Sequence, residues 1–129
     1  MNADTDQGLL DSLSSKIIAC SFQVGNALGC GFLEKVYENA MVVELRAVGL
    51  SFAQQPSYLV RYREEVVGAY VPDLVVCESV IVEIKALDTL DRIHHAQCMN
   101  YLRATGLRVA LLVNFGAPRV QFKRFVWKF

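Results

Sequence analysis

Residues 72–85 read PDLVVCESVIVEIK, and this stretch decides the fold. Two short runs rich in valine and isoleucine, a composition typical of β-strands, flank the tripeptide CES. If that tripeptide is the turn of a hairpin, Val76 lies opposite Val80 and Asp73 lies opposite Glu83. Directly opposed residues of an antiparallel pair share a sheet face, with Cβ atoms about 5 Å apart. We therefore expect the carboxylates of Asp73 and Glu83 to meet on one face of a sheet.

Lys85 follows Glu83 by two positions and therefore shares its face, whereas Val82 and Ile84 point to the other side. Opposed carboxylates repel each other, so a positive charge is expected beside them. A divalent cation such as Mg²⁺ or Mn²⁺ fits, because both ions prefer oxygen ligands. A salt-bridge cluster on the sheet surface, in which Lys85 neutralises the pair, is the alternative. The residues alone leave both open.

Outward from this hairpin, the spacing of apolar residues divides the chain into helices and strands. Helical spacing predicts helices over about 9–28, 33–49 and 89–104, ended by glycines at 29, 49 and 106. Runs of β-branched and aromatic residues predict strands over 57–62, 66–76, 80–86, 108–114 and 120–127, the first three as an antiparallel meander. The order ααβββαββ predicts an α/β fold with one mixed sheet and flanking helices. Residues 1–8 are predicted to be a flexible tail and residues 9–129 a single domain.

The composition is that of a globular protein. The chain has 129 residues and a mass of 14.4 kDa, with 53% apolar and 20% charged residues. No apolar run approaches the roughly 18 residues needed to span a bilayer, and residues 1–7 are polar and acidic, unlike a secretory signal. We therefore expect a cytoplasmic protein without membrane association. The four cysteines, at 20, 30, 77 and 98, form no C-x-x-C pair, which argues against zinc and for reduced thiols.

A net charge of zero conceals an uneven distribution. Residues 1–91 carry 6 Lys or Arg against 13 Asp or Glu, whereas residues 92–129 carry 7 basic residues and no acidic one. A basic segment of this kind can contact nucleic-acid phosphates. Alternatively, the acidic and basic parts fold side by side and cancel each other.

Two of the predicted helices carry further candidates. Glu34 and Glu38 lie one turn apart on the second helix, although acids in a first turn also favour the helix dipole. His94, Gln97 and Tyr101 follow one stripe of the third helix. Gln97 and Tyr101 can hydrogen-bond a phosphate, and a structural role is the alternative for His94.

Four motifs, in this order, resemble those of the GxxExxY proteins, a family of the PD-(D/E)XK nuclease superfamily with the restriction-endonuclease-like fold. They are GFLEKVYENA at 31–40, PD at 72–73 with EIK at 83–85, QCMNY at 97–101 and LLVNFG at 111–116. The third resembles the Q-x-x-x-Y motif of RecB-type nucleases. The similarity runs from about residue 17 to 127. One position departs from the pattern: Gly25 precedes Asn26 where family members often carry His or Ser.

The resemblance implies a metal-dependent nuclease that hydrolyses phosphodiester bonds, in DNA rather than RNA. Asp73 and Glu83 would bind Mg²⁺ or Mn²⁺, and the Ile84 carbonyl would be a further oxygen ligand. Glu34 would reach the metal directly or through water. A divalent ion of this kind activates water and supplies counter-charge to the transition state.

The resemblance also implies roles around the metal. Lys85 would orient or help to deprotonate the attacking water, and Gln97 would hold the geometry of the site. Tyr101 would approach the nucleic-acid backbone, and His94 also fits the family pattern, as a further contact. A single domain of this size leaves specificity to a protein partner, to a homo-oligomer or to DNA shape.

The alternative function is a non-catalytic module of the same fold that binds nucleic acid or a protein partner. The segment 120–129 carries four aromatic residues. An exposed edge strand with such residues invites pairing with a second copy of the chain. The other interpretation is that these aromatics cap the core against the first helix.

Overall fold

The computed structural model describes residues 3–127, with side chains from Gln7 onward. Within this range the helices are α1 (Ala3–Leu28), α2 (Glu34–Ala47) and α3 (Arg92–Thr105). The strands are β1 (Phe52–Gln54), β2 (Tyr58–Tyr62), β3 (Glu65–Tyr70), β4 (Leu74–Val76), β5 (Val80–Lys85), β6 (Val109–Asn114) and β7 (Gln121–Val126).

Five of these strands form one mixed sheet in the order β1-β4-β5-β6-β7. β5 and β6 are parallel and are joined through α3, whereas the other neighbours are antiparallel. The helices α1 and α2 pack on one face of the sheet, and α3 packs on the other, together with the separate hairpin β2–β3. This architecture confirms the predicted α/β, restriction-endonuclease-like fold with one mixed sheet and flanking helices.

The central hairpin has the predicted register. Val76 pairs with Val80, and Leu74 pairs with Val82. The three-residue turn places Cys77 and Glu78 at positive φ, 51° and 56°, and the Ser79 N–H donates to the Val76 carbonyl at 3.0 Å. Because side chains alternate, the even-numbered residues of β5 pack towards α1 and α2, while Ile81 packs towards α3. Glu83 therefore lies on the α3 side.

The predicted three-strand meander is wrong. The predicted strand 66–76 is two strands, β3 and β4, because Pro72 has no N–H to donate and interrupts the pairing. β2 and β3 pair only with each other, so the hairpin lies outside the main sheet. The three-residue strand β1 was not predicted, since so short a segment shows no alternation. The observed order is therefore ααβββββαββ.

Two helices, α1 and α3, begin at residues other than the predicted ones. α1 begins at Ala3 and thus includes residues 3–8 of the predicted tail, where no apolar periodicity marks a helix. Met1 and Asn2 lie outside the described residues. α3 begins at Arg92 rather than at 89, because the Asp91 side chain accepts a hydrogen bond from the Ile93 N–H and caps the helix. Its end at Gly106, with φ of 74°, agrees with the prediction.

The acidic and basic parts of the chain meet in the fold. Arg124 of β7 donates to Asp11 of α1 at 2.5 Å. Phe122 packs edge-to-face on Phe22 of α1, with ring centroids 6.0 Å apart, and Phe125 is buried on the α3 side. These contacts agree with the interpretation that the C-terminal aromatics cap the core, although Phe129 lies outside the described residues.

The four cysteines, all in the described part of the chain, are free thiols. In residues 3–127, no helix is long and apolar enough to cross a bilayer.

Candidate functional site

The Asp73 and Glu83 side chains lie together where β4 begins and β5 ends. The Asp73 N–H donates to Glu83 Oε1 at 3.2 Å, and the Ile84 N–H donates to Asp73 Oδ2 at 2.7 Å. Each carboxylate is therefore held by the backbone of the opposite strand, as the hairpin register requires. The other oxygen of each group, Asp73 Oδ1 and Glu83 Oε2, accepts no hydrogen bond from the described residues.

Both carboxyl groups bind their protons more tightly than usual. Burial raises the pKa of Glu83 to about 7, and repulsion from Asp73 adds to the rise, while hydrogen bonds and Lys85 oppose it. Burial also raises the pKa of Asp73 to about 6, with the Ile84 N–H opposing the rise and Glu38 adding to it. Burial thus disfavours the charged form of both groups, and a cation bound between them would offset that penalty.

Tyr70, the last residue of β3, connects the separate hairpin β2–β3 to the Asp73–Glu83 pair. Its hydroxyl donates to Glu83 Oε1 at 2.6 Å, and burial together with the Glu83 charge raises the pKa of Tyr70. The Tyr70 ring stacks on that of Tyr101 from α3, with centroids 3.8 Å apart and planes 12° apart. Because Glu83 Oε1 accepts two hydrogen bonds, the orientation of the carboxylate is determined and Oε2 is directed away from both donors.

A third carboxylate, Glu38 of α2, lies next to Asp73. Its side chain is buried and accepts hydrogen bonds from Lys35 at 2.9 Å and from Gln54 at 2.5 Å. Burial raises the pKa of Glu38, but the hydrogen bonds from Gln54, Lys35 and Gln55 outweigh it, so the pKa is lowered. Glu38 therefore stays ionised, and its charge raises the pKa of Asp73.

Glu34, which the family resemblance assigned to the metal, is exposed at the start of α2. It makes no hydrogen bond or ion pair with the described residues. The structure thus brings Glu38, one turn further along the helix, to the pair. The metal role of Glu34 stays a prediction.

Two predicted residues, Lys85 and Tyr101, lie beside the pair on its α3 side. Lys85 ends β5, is half-buried and lowers the pKa of both Asp73 and Glu83. Tyr101 lies close enough for Glu83 and Asp73, after burial, to raise the pKa of its hydroxyl. Gln97 is half-buried on α3 and makes no hydrogen bond within the described chain, so its amide can contact a ligand.

His94 has a structural role in the cap of α3. Its Nδ1 accepts a hydrogen bond from the Asp91 N–H at 3.2 Å and completes a capping box. This is the alternative that sequence reasoning had kept open for His94. Contact of His94 with nucleic acid stays a prediction.

The sequence did not predict that Tyr70 and Gln54 belong to the site, nor that Glu38 lies beside Asp73. For Glu38 a signal was present: the buried positions of α2 include Tyr37 and Val42, and Glu38 follows the first by one residue and precedes the second by one turn. An acid in that stripe has to be buried. Tyr70 and Gln54 had no such signal, because the packing of β1 and of the hairpin could not be foreseen.

The donor set fits a magnesium-like ion. Among residues 3–127, no three His, Cys, Asp or Glu side chains gather closely enough to enclose a metal by themselves. Mg²⁺ needs no such enclosure, because it keeps several waters and binds through one or two carboxylates. The free oxygens of Asp73 and Glu83, together with the raised pKa of both groups, meet that requirement. The Ile84 carbonyl stays a predicted ligand.

A sequence profile of the PD-(D/E)XK nuclease superfamily matches residues 11–125. The chain belongs to this superfamily. Its members generally use divalent metal ions and act on nucleic acids. Asp73 lies just before β4 and Glu83 and Lys85 lie on β5; that they are the motif residues of the superfamily stays a prediction.

Two solved structures are similar in fold. The structure of SSO0001 has 16% sequence identity over 74% of this chain and 51% of that chain, with a TM-score of 0.59. The present chain therefore spans about half the length of that protein. An alkaline exonuclease (LHK-Exo) from Laribacter hongkongensis has 13% identity over 73% of this chain and 56% of that chain, with a TM-score of 0.45. No curated protein matches the sequence significantly.

Proposed function

We propose that this protein is a metal-dependent nuclease that hydrolyses phosphodiester bonds, with DNA rather than RNA as the substrate. The observation that carries the proposal is the pair of Asp73 and Glu83, fixed across the hairpin with one free oxygen each. Lys85 lies on the same face and is close enough to lower the pKa of both carboxyl groups. Membership of the nuclease superfamily supports the same conclusion.

Phosphodiester hydrolysis forms a bond from a water oxygen to phosphorus and breaks the bond to one sugar oxygen. Negative charge increases on the phosphoryl oxygens and on the leaving oxygen. A divalent ion held by Asp73, Glu83 and the Ile84 carbonyl would supply counter-charge and lower the pKa of water. The Lys85 ammonium group would orient the attacking water and stabilise the phosphoryl oxygens as their charge increases.

The neighbouring groups would keep this arrangement in place. The Tyr70 hydroxyl and the Asp73 N–H hold one oxygen of Glu83, so the other oxygen keeps a constant direction. Glu38 supplies a further negative charge beside Asp73 and can bind a metal-bound water. Tyr101, stacked on Tyr70, would contact the nucleic-acid backbone, and Gln97, one turn earlier on α3, would hold the geometry of the site.

Calorimetric titration with Mn²⁺ tests the metal site without a guess about the substrate. Wild type is expected to bind, and Asp73→Asn is expected not to bind. The control Glu65→Gln changes an exposed acid of β3 and should bind as wild type does. Equal binding by wild type and Asp73→Asn would contradict the site.

Nuclease assays with Mn²⁺ or Mg²⁺ then test turnover on single-stranded, duplex and branched DNA, and on RNA. Lys85→Met is expected to bind Mn²⁺ and the substrate yet to cleave at least about a hundredfold more slowly, because it removes only the transition-state charge. Cleavage by Lys85→Met at the wild-type rate would contradict the role of the lysine.

A binding module without turnover is the second candidate, because the hairpin β2–β3 exposes apolar side chains. Leu59, Tyr62 and Val67 are 52%, 65% and 62% exposed. Exposed apolar residues that lie together on one hairpin can form a contact surface for a partner. Metal binding and substrate binding without any cleavage would favour this function over the nuclease.

A further inference from the structure

Asn114, at the end of β6, is a fully buried polar residue outside the carboxylate pair. Its Oδ1 accepts hydrogen bonds from the Leu87 N–H at 2.8 Å and from the Gly116 N–H at 3.1 Å. Its Nδ2 donates to the Leu87 carbonyl at 2.9 Å and to Gln121 Oε1 at 3.1 Å. The backbone N–H and carbonyl of Leu87 are thus both bound by the Asn114 side chain.

These four hydrogen bonds use the full capacity of the amide, two donated and two accepted. Asn114 therefore has nothing left for a substrate, a metal or a reacting water. Burial of the amide without its four hydrogen bonds would be costly, so the role of Asn114 is to hold the chain around Leu87. That chain segment follows Lys85 directly.

Asn114 is also the cross-strand neighbour of Lys85. The two residues are paired in the parallel register of β5 and β6, so their side chains lie on the same face of the sheet. The Phe115 N–H donates to the Lys85 carbonyl at 2.9 Å. The Lys85 carbonyl is thus bound by the residue after β6, and the backbone of Leu87, two residues further on, is bound by the Asn114 side chain.

Gly116 reinforces this link by its small size. A Cβ at this position would lie 2.3 Å from the Leu87 nitrogen and 2.4 Å from its carbonyl oxygen. Any side chain at 116 must therefore push the segment 86–87 away. Two different residues, Asn114 and Gly116, therefore contact the same two-residue segment, 86–87, directly after β5.

We propose that Asn114 is the positioning residue for Lys85: it fixes the backbone of residues 85–87 so that the Lys85 ammonium group stays beside Asp73 and Glu83. The inference rests on the proposed nuclease function for its kinetic consequence, but the geometric part does not depend on it. Without the amide, the Leu87 N–H and carbonyl lose their partners, and Lys85 gains freedom at the end of its strand. The carboxylates, held by their own hydrogen bonds, keep their places.

The kinetic test is a double-mutant cycle with Asn114→Ala and Lys85→Met. Asn114→Ala is expected to lower kcat by about tenfold or more while KM changes by less than about twofold, because misplacement of a catalytic group acts on the transition state. In the Lys85→Met background, the same substitution should cost less than about twofold. If Asn114→Ala lowers kcat by the same factor in the Lys85→Met background as in wild type, the proposal is overturned, because the effect of Asn114 would then be independent of Lys85.

Gly116→Ala provides a second variant in case Asn114→Ala does not fold. It displaces the same segment without deleting the amide, so it should show the same loss and the same dependence on Lys85. The matched control is Gly68→Ala in β3, where an added Cβ meets no atom within 4 Å. Gln121→Ala, which removes a single exposed partner of Asn114, should also behave as wild type.

NMR separates the failure of this proposal from the failure of the nuclease function. In metal-free protein, Asn114→Ala or Gly116→Ala should shift the Lys85 side-chain signals and increase hydrogen exchange at Leu87, whereas Gly68→Ala should do neither. Mn²⁺ affinity should stay within about twofold of wild type, because the carboxylates keep their hydrogen bonds. Wild type without nuclease activity would remove the proposed function alone, but unshifted Lys85 signals in both variants would overturn the positioning role.

Discussion

The substitution Glu83→Gln tests whether the site holds uncompensated negative charge. Burial and then Asp73 raise the pKa of Glu83 from its ordinary 4.5 to about 7. A difference of this size corresponds to about 3 kcal/mol of folding free energy. Since the folded protein binds the proton more tightly than the unfolded chain, this stability is present below pH 4.5 and is lost as the pH rises through about 7.

Glutamine removes the charge and keeps the shape. Its Oε1 can still accept from the Tyr70 hydroxyl and from the Asp73 N–H. Metal-free Glu83→Gln is therefore expected to be more stable than wild type by up to about 3 kcal/mol at pH 8 and about equally stable at pH 4.5. The same change should abolish Mn²⁺ binding, so stability and function would change in opposite directions.

Urea denaturation in the presence of EDTA measures this effect at both pH values. The difference between variant and wild type cancels the pH dependence of groups that do not interact with Glu83, and Glu65→Gln on exposed β3 should show no difference at either pH. Mn²⁺ at about a hundred times its dissociation constant should then stabilise wild type by about 2.7 kcal/mol at pH 8 and leave Glu83→Gln unchanged. A variant that is less stable than wild type at pH 8 would refute the reasoning, because Glu83 would then be part of a stabilising ion pair.

Three further substitutions test the groups around the Asp73–Glu83 pair. Asp73→Asn keeps an oxygen for the Ile84 N–H but removes the opposing charge, so an NMR titration should show a lower pKa for Glu83; an unchanged value would contradict the paired-carboxylate interpretation. Tyr70→Phe removes a hydrogen bond that lowers the pKa of Glu83, so the acidic limb of the kcat/KM profile should move to higher pH; a limb that stays in place would show that Glu83 does not control it. Glu38→Gln removes a charge that raises the pKa of Asp73, so that pKa should fall, whereas an equal fall in Glu34→Gln would show that both acids lie beside Asp73.

The register of the central hairpin could be predicted because two independent signals agree on it. The polar turn sets which residues are opposed, and the alternation of side chains sets which face each occupies. Both signals lie within residues 72–85, so no tertiary information was needed. The opposition of Asp73 and Glu83 and the position of Lys85 follow directly.

The hairpin β2–β3 shows where this reasoning stops. Its strands were recognised by composition, but composition does not say which sheet a strand joins. The separation depends on Pro72 and on the stacking of Tyr70 against Tyr101, a contact between residues far apart in sequence. The hydrogen bond from Tyr70 to Glu83 was therefore out of reach of any local pattern.

The missed strand β1 and the missed role of Glu38 have the same cause. A buried acid needs partners, and Lys35 on the same helix supplies only part of them. The others are Gln54, at the end of β1, and Gln55, whose N–H also donates to the Asp73 carbonyl at 2.9 Å. The position of Glu38 in the buried stripe of α2 indicates burial, but without β1 its hydrogen-bond partners are missing, and Glu34, which needs no partner, is the simpler candidate. The three residues of β1 thus decide which glutamate of α2 reaches Asp73.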